Sequence, residues 1–136
     1  MIEYKETRDL SYILLLAREN GEDIQKLRSH LEESFMFGYE VYLDGVRHGV
    51  AFALKIGSTY SLDGYNEHRN KGTFFSAVQA GKIVVNRLLK EHTNTVYTTH
   101  QKVKKKVTSL AKHIGFQEWK TVDDLIILKI GDKNGN

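Results

Sequence analysis

The chain of 136 residues carries a formal charge of +3, has a pI near 9.0 and contains no cysteine. Its length suits one globular domain, and the lack of cysteine excludes disulfides, thiolate zinc sites and a thiol nucleophile. The mildly basic balance favours polyanionic partners, such as a nucleotide cofactor or nucleic acid, without selecting among them.

The sequence predicts neither a membrane-spanning segment nor a signal peptide. The longest apolar run, Tyr12–Ala17, is far too short to span a bilayer. Met1–Glu6 lacks the basic segment and apolar core of a signal peptide. We therefore expect a protein with no membrane partner that works in the cytoplasm.

The first half of the chain predicts a strand, two helices and a three-stranded meander. Residues 1–5 alternate apolar and polar side chains, as in a short strand. Two amphipathic helices follow, separated by Asn20-Gly21. Asp44-Gly45 then predicts a hairpin turn, and Thr59–Tyr65 predicts a further antiparallel strand. The residues expected on the buried face of this meander are Val50, Phe52, Leu54 and Ile56.

The second half predicts a long helix, a strand, a helix and a hairpin. The long helix covers 73–91 and contains Gly81 on its apolar side, which indicates close packing. A strand at 95–100 precedes a helix at 103–114, which Gly115 is placed to end with a left-handed cap. Strands at 116–122 and 125–130 then pair around Asp123-Asp124.

The predicted order is therefore β-α-α-β-β-β-α-β-α-β-β, an α/β fold with a mixed, mostly antiparallel sheet of about seven strands and about four helices. We expect one domain over residues 1–130 and a frayed polar tail at 131–136.

A polar loop before the long helix is the strongest candidate for ligand binding. The amino terminus of a helix presents unpaired N–H groups and the positive end of the helix dipole, so it binds phosphates well, particularly beside basic side chains. This predicts a pyrophosphate cradle. The residues expected to form it are Arg69, Asn70, Lys71, Gly72, Thr73 and Phe74.

Two motifs and the element order together resemble the GNAT family of acyl-CoA N-acyltransferases. Arg69-Asn70-Lys71-Gly72 is similar to the family's pyrophosphate loop, and Ile114-Gly115-Phe116 to its Leu/Ile-Gly-Phe signature. The resemblance implies that acetyl-CoA, as co-substrate, binds between the strands at 59–65 and 95–100. An acceptor amine would then attack the thioester directly, which makes the implied function N-acetyl transfer from acetyl-CoA.

The chain departs from the family pattern at three positions. Phe74 stands where members usually have Gly or Ala, and Ala111 and Lys104 stand where many have a catalytic Tyr and an Asn. Substitutes for the missing acid are Ser109, Lys112 and Tyr97, and Asp63 joins the candidate bases. The catalytic residues we predict are Glu67, His68 and His100 as bases and Ser109 as the acid. No pair of residues has metal-ligand spacing, so no metal is expected.

Two alternatives stay open at this stage. The chain also resembles acetyltransferase-like proteins of short-tailed bacteriophages, which implies a catalytically silent, virion-associated binding protein in the host cytoplasm or the virion. The other alternative is contact with nucleic acid, because DNA phosphates attract clustered lysines. That cluster comprises Lys102, Lys104, Lys105 and Lys106. Either a monomer or a homodimer is compatible with the exposed edge of the last hairpin.

Overall fold

The computed structural model describes residues 1–68 and 72–131, and its elements follow the predicted order. The predicted α/β class is confirmed, with seven strands and four helices among the described residues. Their bounds are β1 Ile2–Thr7, α1 Leu10–Glu19, α2 Ile24–Ser34, β2 Phe35–Leu43, β3 Val46–Ile56, β4 Thr59–Asn66, α3 Phe74–Glu91, β5 Thr95–Gln101, α4 Lys105–Ile114, β6 Gln117–Val122 and β7 Leu125–Gly131.

The seven strands form one mixed sheet in the order β1-β2-β3-β4-β5-β7-β6. Every neighbouring pair is antiparallel except β4 and β5, which run parallel. The helix α3 connects these two strands, as a parallel crossover requires. The carboxyl ends of β4 and β5 therefore lie at the same edge of the sheet, beside the amino termini of the helices that follow them.

Helices cover both faces of the sheet and divide the core in two. On one face, α1 and α2 pack on Val50, Phe52 and Leu54 of β3. On the other face, α3 and α4 pack on Ala51 and Ala53 of the same strand. The meander was predicted to have one buried face, which is wrong because β3 is covered on both sides. The prediction also fails at Ile56, which is 47% exposed because it lies at the turn into β4.

Two glycines behave as the sequence predicts. Gly115 ends α4 with φ of 127°, and its amide donates to the carbonyl of Ala111. Gly81 lies where α3 crosses α4, and a Cβ built there would overlap Cδ1 of Ile114. The absent side chain at Gly81 therefore sets how closely these two helices approach.

The predicted frayed tail at 131–136 can be compared with the structure only at Gly131. Gly131 belongs to β7, so the last strand extends one residue into the predicted tail. Residues 132–136 lie outside the described part of the chain. Within the described part, no helix combines the length and apolar character needed to cross a membrane.

Candidate functional site

The strands β4 and β5 part soon after they pair. Their only registered partners in the described structure are Ser61 and Tyr97. One residue further on, the hydroxyl of Thr98 donates to the carbonyl oxygen of Leu62 at 3.1 Å, so a side chain replaces the backbone contact. Both strands continue beyond this point, to Asn66 and Gln101. The result is an opening between two strand edges, with backbone polar groups available to an extended ligand.

The amino terminus of α3 lies beside this opening. The side chain of Thr73 caps the helix by accepting from the amide of Ser76 at 3.0 Å, and the buried Ser76 hydroxyl donates to the carbonyl of Thr73 at 2.9 Å. Helix geometry leaves the amides of Phe74 and Phe75 without an intrahelical acceptor. The first turn contains no acidic residue, so an anion meets the helix dipole unopposed.

Because Gly72 has no side chain, a ligand can approach the amino terminus of α3 closely. A Cβ there would lie 2.9 Å from Oγ of Ser76 and 3.4 Å from Cβ of His48, so any side chain would force its neighbours to move. The other predicted members of the cradle, Arg69, Asn70 and Lys71, lie outside the described residues.

Phe74 does not close the helix end. Its side chain is 49% exposed and meets the ring of His113 edge-on, with 5.0 Å between ring centroids. The bulky residue at this position therefore packs towards α4, and only its backbone amide faces outwards from the helix terminus. Phe74, which stands where GNAT members usually have Gly or Ala, is therefore accommodated by a contact between α3 and α4.

His100 of β5 forms a short polar contact with α4 near the opening. Its Nε2 lies 2.6 Å from the hydroxyl oxygen of Thr108, while its Nδ1 is buried and is the one such side-chain atom in the described residues without a hydrogen-bond partner. Burial and the nearby Lys104 ammonium lower the pKa of His100, so its ring is neutral near pH 7. Sequence reasoning selected His100 but missed Thr108, which lies one helical turn before Ala111.

The opposite face of the opening is acidic and aromatic. The hydroxyl of Tyr12 donates to Oε2 of Glu67 at 2.6 Å, and the guanidinium of Arg47 lies 3.5 Å from the centre of the Tyr12 ring. Burial and Glu67 together raise the pKa of Tyr12. On the same face, the hydroxyl of Tyr65 donates to Glu22 at 2.9 Å. The carboxylate of Glu67 is thus held between α1 and the end of β4.

Asp63 projects from β4 on this acidic face. Solvent reaches its side chain, but the protein atoms of the opening surround it closely enough to raise its pKa to about 6, chiefly by desolvation, with a further contribution from Glu22. Its carboxylate also accepts from the amide of Gly64 at 2.8 Å. Asp63 is consequently a carboxyl group that titrates close to neutral pH.

The remaining candidates are dispersed. His68 is exposed beyond the end of β4, and no contact of its side chain is recorded among the described residues. Ser109 is exposed on α4, where its carbonyl oxygen lies 2.8 Å from Nδ1 of His113, and it does not join His100. Ala111 is buried in the core and supplies no acid. Of the other substitutes, Lys112 pairs with Glu118 at 2.6 Å, and Tyr97 packs against Trp119.

A cationic groove separates α4 from the last hairpin. It has a volume of about 460 Å³, and Lys102, Lys105, Lys112 and His113 line it, with Glu118 as its acidic member. Lys104 and Lys106 are exposed close by. Among the described residues, no three metal-ligating side chains come together in a cluster.

Comparison of whole folds identifies the architecture, whereas no protein-family model and no curated protein matches the sequence. The N-acetyltransferase PseH of Campylobacter jejuni, solved with acetyl coenzyme A, is 17% identical with a TM-score of 0.60, covering 98% of this chain and 100% of that chain. The ribosomal-protein-S18-alanine N-acetyltransferase of Escherichia coli is 12% identical with a TM-score of 0.72, covering 96% of this chain and 94% of that one.

A third structure agrees with these two. The aminoglycoside acetyltransferase AAC(6')-Ib, solved with coenzyme A and kanamycin, is 13% identical with a TM-score of 0.73, and the match covers 98% of this chain and 96% of that one. This chain has the GNAT fold. The GNAT resemblance predicted from the sequence is confirmed at the level of the fold. The resemblance implies that acetyl-CoA binds between the strands at 59–65 and 95–100, and these are the strands β4 and β5 that part after one registered pair.

Proposed function

We propose that this GNAT-fold protein is an acetyl-CoA-dependent N-acetyltransferase that transfers an acetyl group to an amine. The observation that supports this most strongly is the opening between β4 and β5, which lies beside an uncrowded amino terminus of α3. Solved acetyltransferases that match nearly the whole chain share this architecture. The proposal rests on the site as well as on the fold, since a fold alone does not determine an activity.

The described cradle fits a pyrophosphate group. Close approach is provided by Gly72, where a Cβ would lie 2.9 Å from Oγ of Ser76. The amides of Phe74 and Phe75 would donate to phosphate oxygens, and Thr73 would hold the helix end in place. We assign Arg69, Asn70 and Lys71 the supporting role of basic and polar partners on sequence grounds. When bound, acetyl-CoA supplies the activated acetyl thioester.

The opening also suits the extended arm of the ligand. Among the described residues, no registered pair follows Ser61 and Tyr97, so the edge of β4 beyond that point has no strand partner on the β5 side. Gly64 presents its backbone there, and its strand position is too tight for a side chain because a Cβ would lie 2.9 Å from the carbonyl oxygen of Val50. Amide groups of a linear ligand can pair with such an edge in the way that an added strand does.

The acceptor would approach the acidic face of the opening. Glu67 lies at the end of β4 and its carboxylate is oriented by Tyr12, and Asp63 projects on the same face. Both carboxylates would attract and orient a protonated amine. The identity of the acceptor stays outside this proposal, because no residue of this face selects one amine over another.

Thiol release from acetyl-CoA tests this function. We expect the wild-type protein to release coenzyme A when supplied with spermidine, a lysine-containing peptide or kanamycin, and Gly72→Glu to abolish this release. A Thr121→Glu variant is the matched control, because it adds the same charge to an exposed position on β6, away from α3. Binding of acetyl-CoA without release would favour a silent GNAT-fold binding protein instead.

A polyanion-binding role is the second candidate, favoured by the cationic groove beside α4. Retention on DNA should fall steeply with salt if phosphates bind there. Lys104→Glu with Lys105→Glu should remove that retention and leave acetyl-CoA binding unchanged. Retention on DNA that survives this double substitution would count against the groove as the DNA-binding site.

A further inference from the structure

One side of the strands β5, β7 and β6 is open to solvent and lies next to the acidic face where the acceptor would approach. We propose that this open side selects the acceptor, and that the acceptor is an amine whose body carries a planar ring and an anionic group. The inference rests on the proposed acetyltransferase function. It names the class of amine, which the acidic face alone leaves open.

Helices α1 and α2 cover only part of their side of the sheet, because they pack chiefly on β2, β3 and β4. On β7, Ile126 and Leu128 point into the core beneath α3 and α4, so Ile127 and Lys129 point to the side of α1 and α2. The register of β5 and β6 against β7 places further side chains on this side. We call this side of β5, β7 and β6 the uncovered face.

The uncovered face contains an exposed aromatic side chain, that of Trp119. The centre of its ring lies 5.4 Å from that of Tyr97, 4.2 Å from Nζ of Lys120 and 5.2 Å from Nζ of Lys129. Despite these contacts, Trp119 is 45% exposed, and Leu125 is exposed on the same face. Exposed apolar groups that lie together often mark a binding surface. A planar ligand ring can pack on such aromatic side chains.

The charges of the uncovered face have one sign. Lys120 and Lys129 supply positive charge, and the strands β5, β6 and β7 contain one acidic residue, Glu118. Glu118 points to the other side of the sheet, where it pairs with Lys112 of α4 at 2.6 Å. The surface of a small soluble protein normally mixes both signs of charge. Charge complementarity therefore favours an anionic group in the molecule that binds the uncovered face.

The uncovered face and the acidic face lie on the same side of the sheet. Ser61 of β4 lies opposite Leu54, which packs in the core beneath α1 and α2, so Ser61 and Asp63 both point to that side. Tyr97 is the registered partner of Ser61 and shares that side. Asp63 on β4 and Lys129 on β7 are two strand intervals apart, which is at least about 10 Å at the usual strand spacing. A molecule that contacts both therefore needs opposite charges at its two ends.

This arrangement favours one orientation of the acceptor. The amine would lie against Asp63, beside the opening between β4 and β5, and the ring would pack on Tyr97 and Trp119. The anionic group would then meet the ammonium groups of Lys120 and Lys129. The reverse orientation places like charges together at both ends, which is unfavourable. An amine without an anionic group would use the acidic face alone and bind more weakly.

Tyramine phosphate tests this class of acceptor, because its amine and its phosphate lie at opposite ends of one ring. Tyramine lacks the phosphate and phenyl phosphate lacks the amine, so these two compounds are matched controls. Trp119 is the sole tryptophan of the chain, and its fluorescence therefore reports binding at the uncovered face without any turnover. With or without coenzyme A, we expect tyramine phosphate to bind at least about fivefold more tightly than either control compound.

Two double substitutions separate the uncovered face from general effects of charge. Lys120→Gln with Lys129→Gln should weaken the binding of tyramine phosphate by about fivefold or more and change that of tyramine by less than about twofold. Lys90→Gln with Lys106→Gln removes the same charge from exposed positions on α3 and α4, on the other side of the sheet, and should change neither. The values of kcat/KM for thiol release should follow the same order.

Three results would overturn the inference. The first is Trp119 fluorescence that responds alike to tyramine phosphate and tyramine, or to neither. The second is an equal loss of binding in the two double variants. The third is a dimer whose dissociation on dilution changes Trp119 fluorescence, because a second copy of the chain would then cover this face. Failure to bind acetyl-CoA would instead remove the proposed function, whereas the fluorescence titration would still report whether the uncovered face prefers an anionic molecule.

Discussion

The hydroxyl of Tyr12 in α1 lies 2.6 Å from the Oε2 atom of Glu67, at the end of β4. This contact joins the helical layer to the strand edge where the acceptor side of the opening begins. It also determines where the Glu67 carboxylate points, because the Tyr12 ring is itself buried beneath Arg47. The ring is fixed by packing, so the carboxylate is fixed with it.

Removal of this hydroxyl should be measurable as lost stability. Tyr12→Phe leaves the half-buried Glu67 carboxylate without its donor, and we expect the free energy of unfolding to fall by about 1–2 kcal/mol. Chemical denaturation measures the change. Tyr60→Phe serves as the control, because no hydrogen bond of its hydroxyl is recorded in the described structure. Equal stability of Tyr12→Phe and the wild type would mean that water replaces the contact without cost.

Because of Asp63, the protein should be more stable in mild acid than at neutral pH. Its pKa is raised from 3.8 to about 6 in the folded protein, so the folded state binds the proton more tightly than the unfolded state does. Stability therefore falls as pH rises from about 4 to 6. Asp63→Asn should remove this dependence and raise stability at pH 7 by about 1 kcal/mol, a value reduced for solvent access. Thermal unfolding of the wild type and of Asp63→Asn at pH 5 and pH 7 measures the difference. The same change in stability between the two pH values in both proteins would contradict the prediction.

Lys104 links two titrating groups on opposite faces of the opening. Its ammonium lowers the pKa of His100 and of Asp63, because positive charge disfavours an added proton on either. Lys104→Gln should therefore raise both values, which NMR titration can follow. Lys106→Gln, an exposed change two residues away, should leave both unchanged. A shift in neither group would show that Lys104 is too well solvated to act on them.

Gly115 should tolerate a side chain less well than Gly57. Both have positive φ, but a Cβ on Gly115 would lie 2.7 Å from Ile130, whereas none of the atoms around Gly57 comes within 4 Å. Gly57→Ala should cost about 1 kcal/mol of stability through backbone strain, and Gly115→Ala about 2–3 kcal/mol through strain and crowding together. Urea denaturation of both variants checks the ranking, and equal losses would contradict the crowding.

Most of the fold was predictable because its signals are local. Asp44-Gly45 forms the expected turn with φ of 49° and 83°, and Gly115 ends α4 as its position indicated. Burial of β3 on both faces was indicated by the unbroken apolar run Val50–Leu54, but the prediction took only alternate residues of it as buried. Its alternate residues Ala51 and Ala53 are small, and only the arrival of α3, from a later part of the chain, covers them.

The site was predictable only in part, because its key contacts join distant elements. The loop motif located the amino terminus of α3, but the direction of the Phe74 side chain depends on His113 of α4. His100 was selected for its intrinsic pKa, whereas its pairing with Thr108 depends on how α4 packs against β5. The pKa of Asp63 likewise depends on desolvation in an opening that exists only in the folded protein.

Calorimetric titration of acetyl-CoA into the wild-type protein, Gly72→Glu and Thr121→Glu tests the central claim most directly. We predict saturable binding to the wild type and to Thr121→Glu. Binding to Gly72→Glu should be at least about tenfold weaker, a loss of about 1.4 kcal/mol or more, since a carboxylate at the cradle both crowds and repels phosphate. Absence of binding to the wild type at millimolar acetyl-CoA, or equal binding by all three proteins, would contradict the assignment of this opening as the cofactor site.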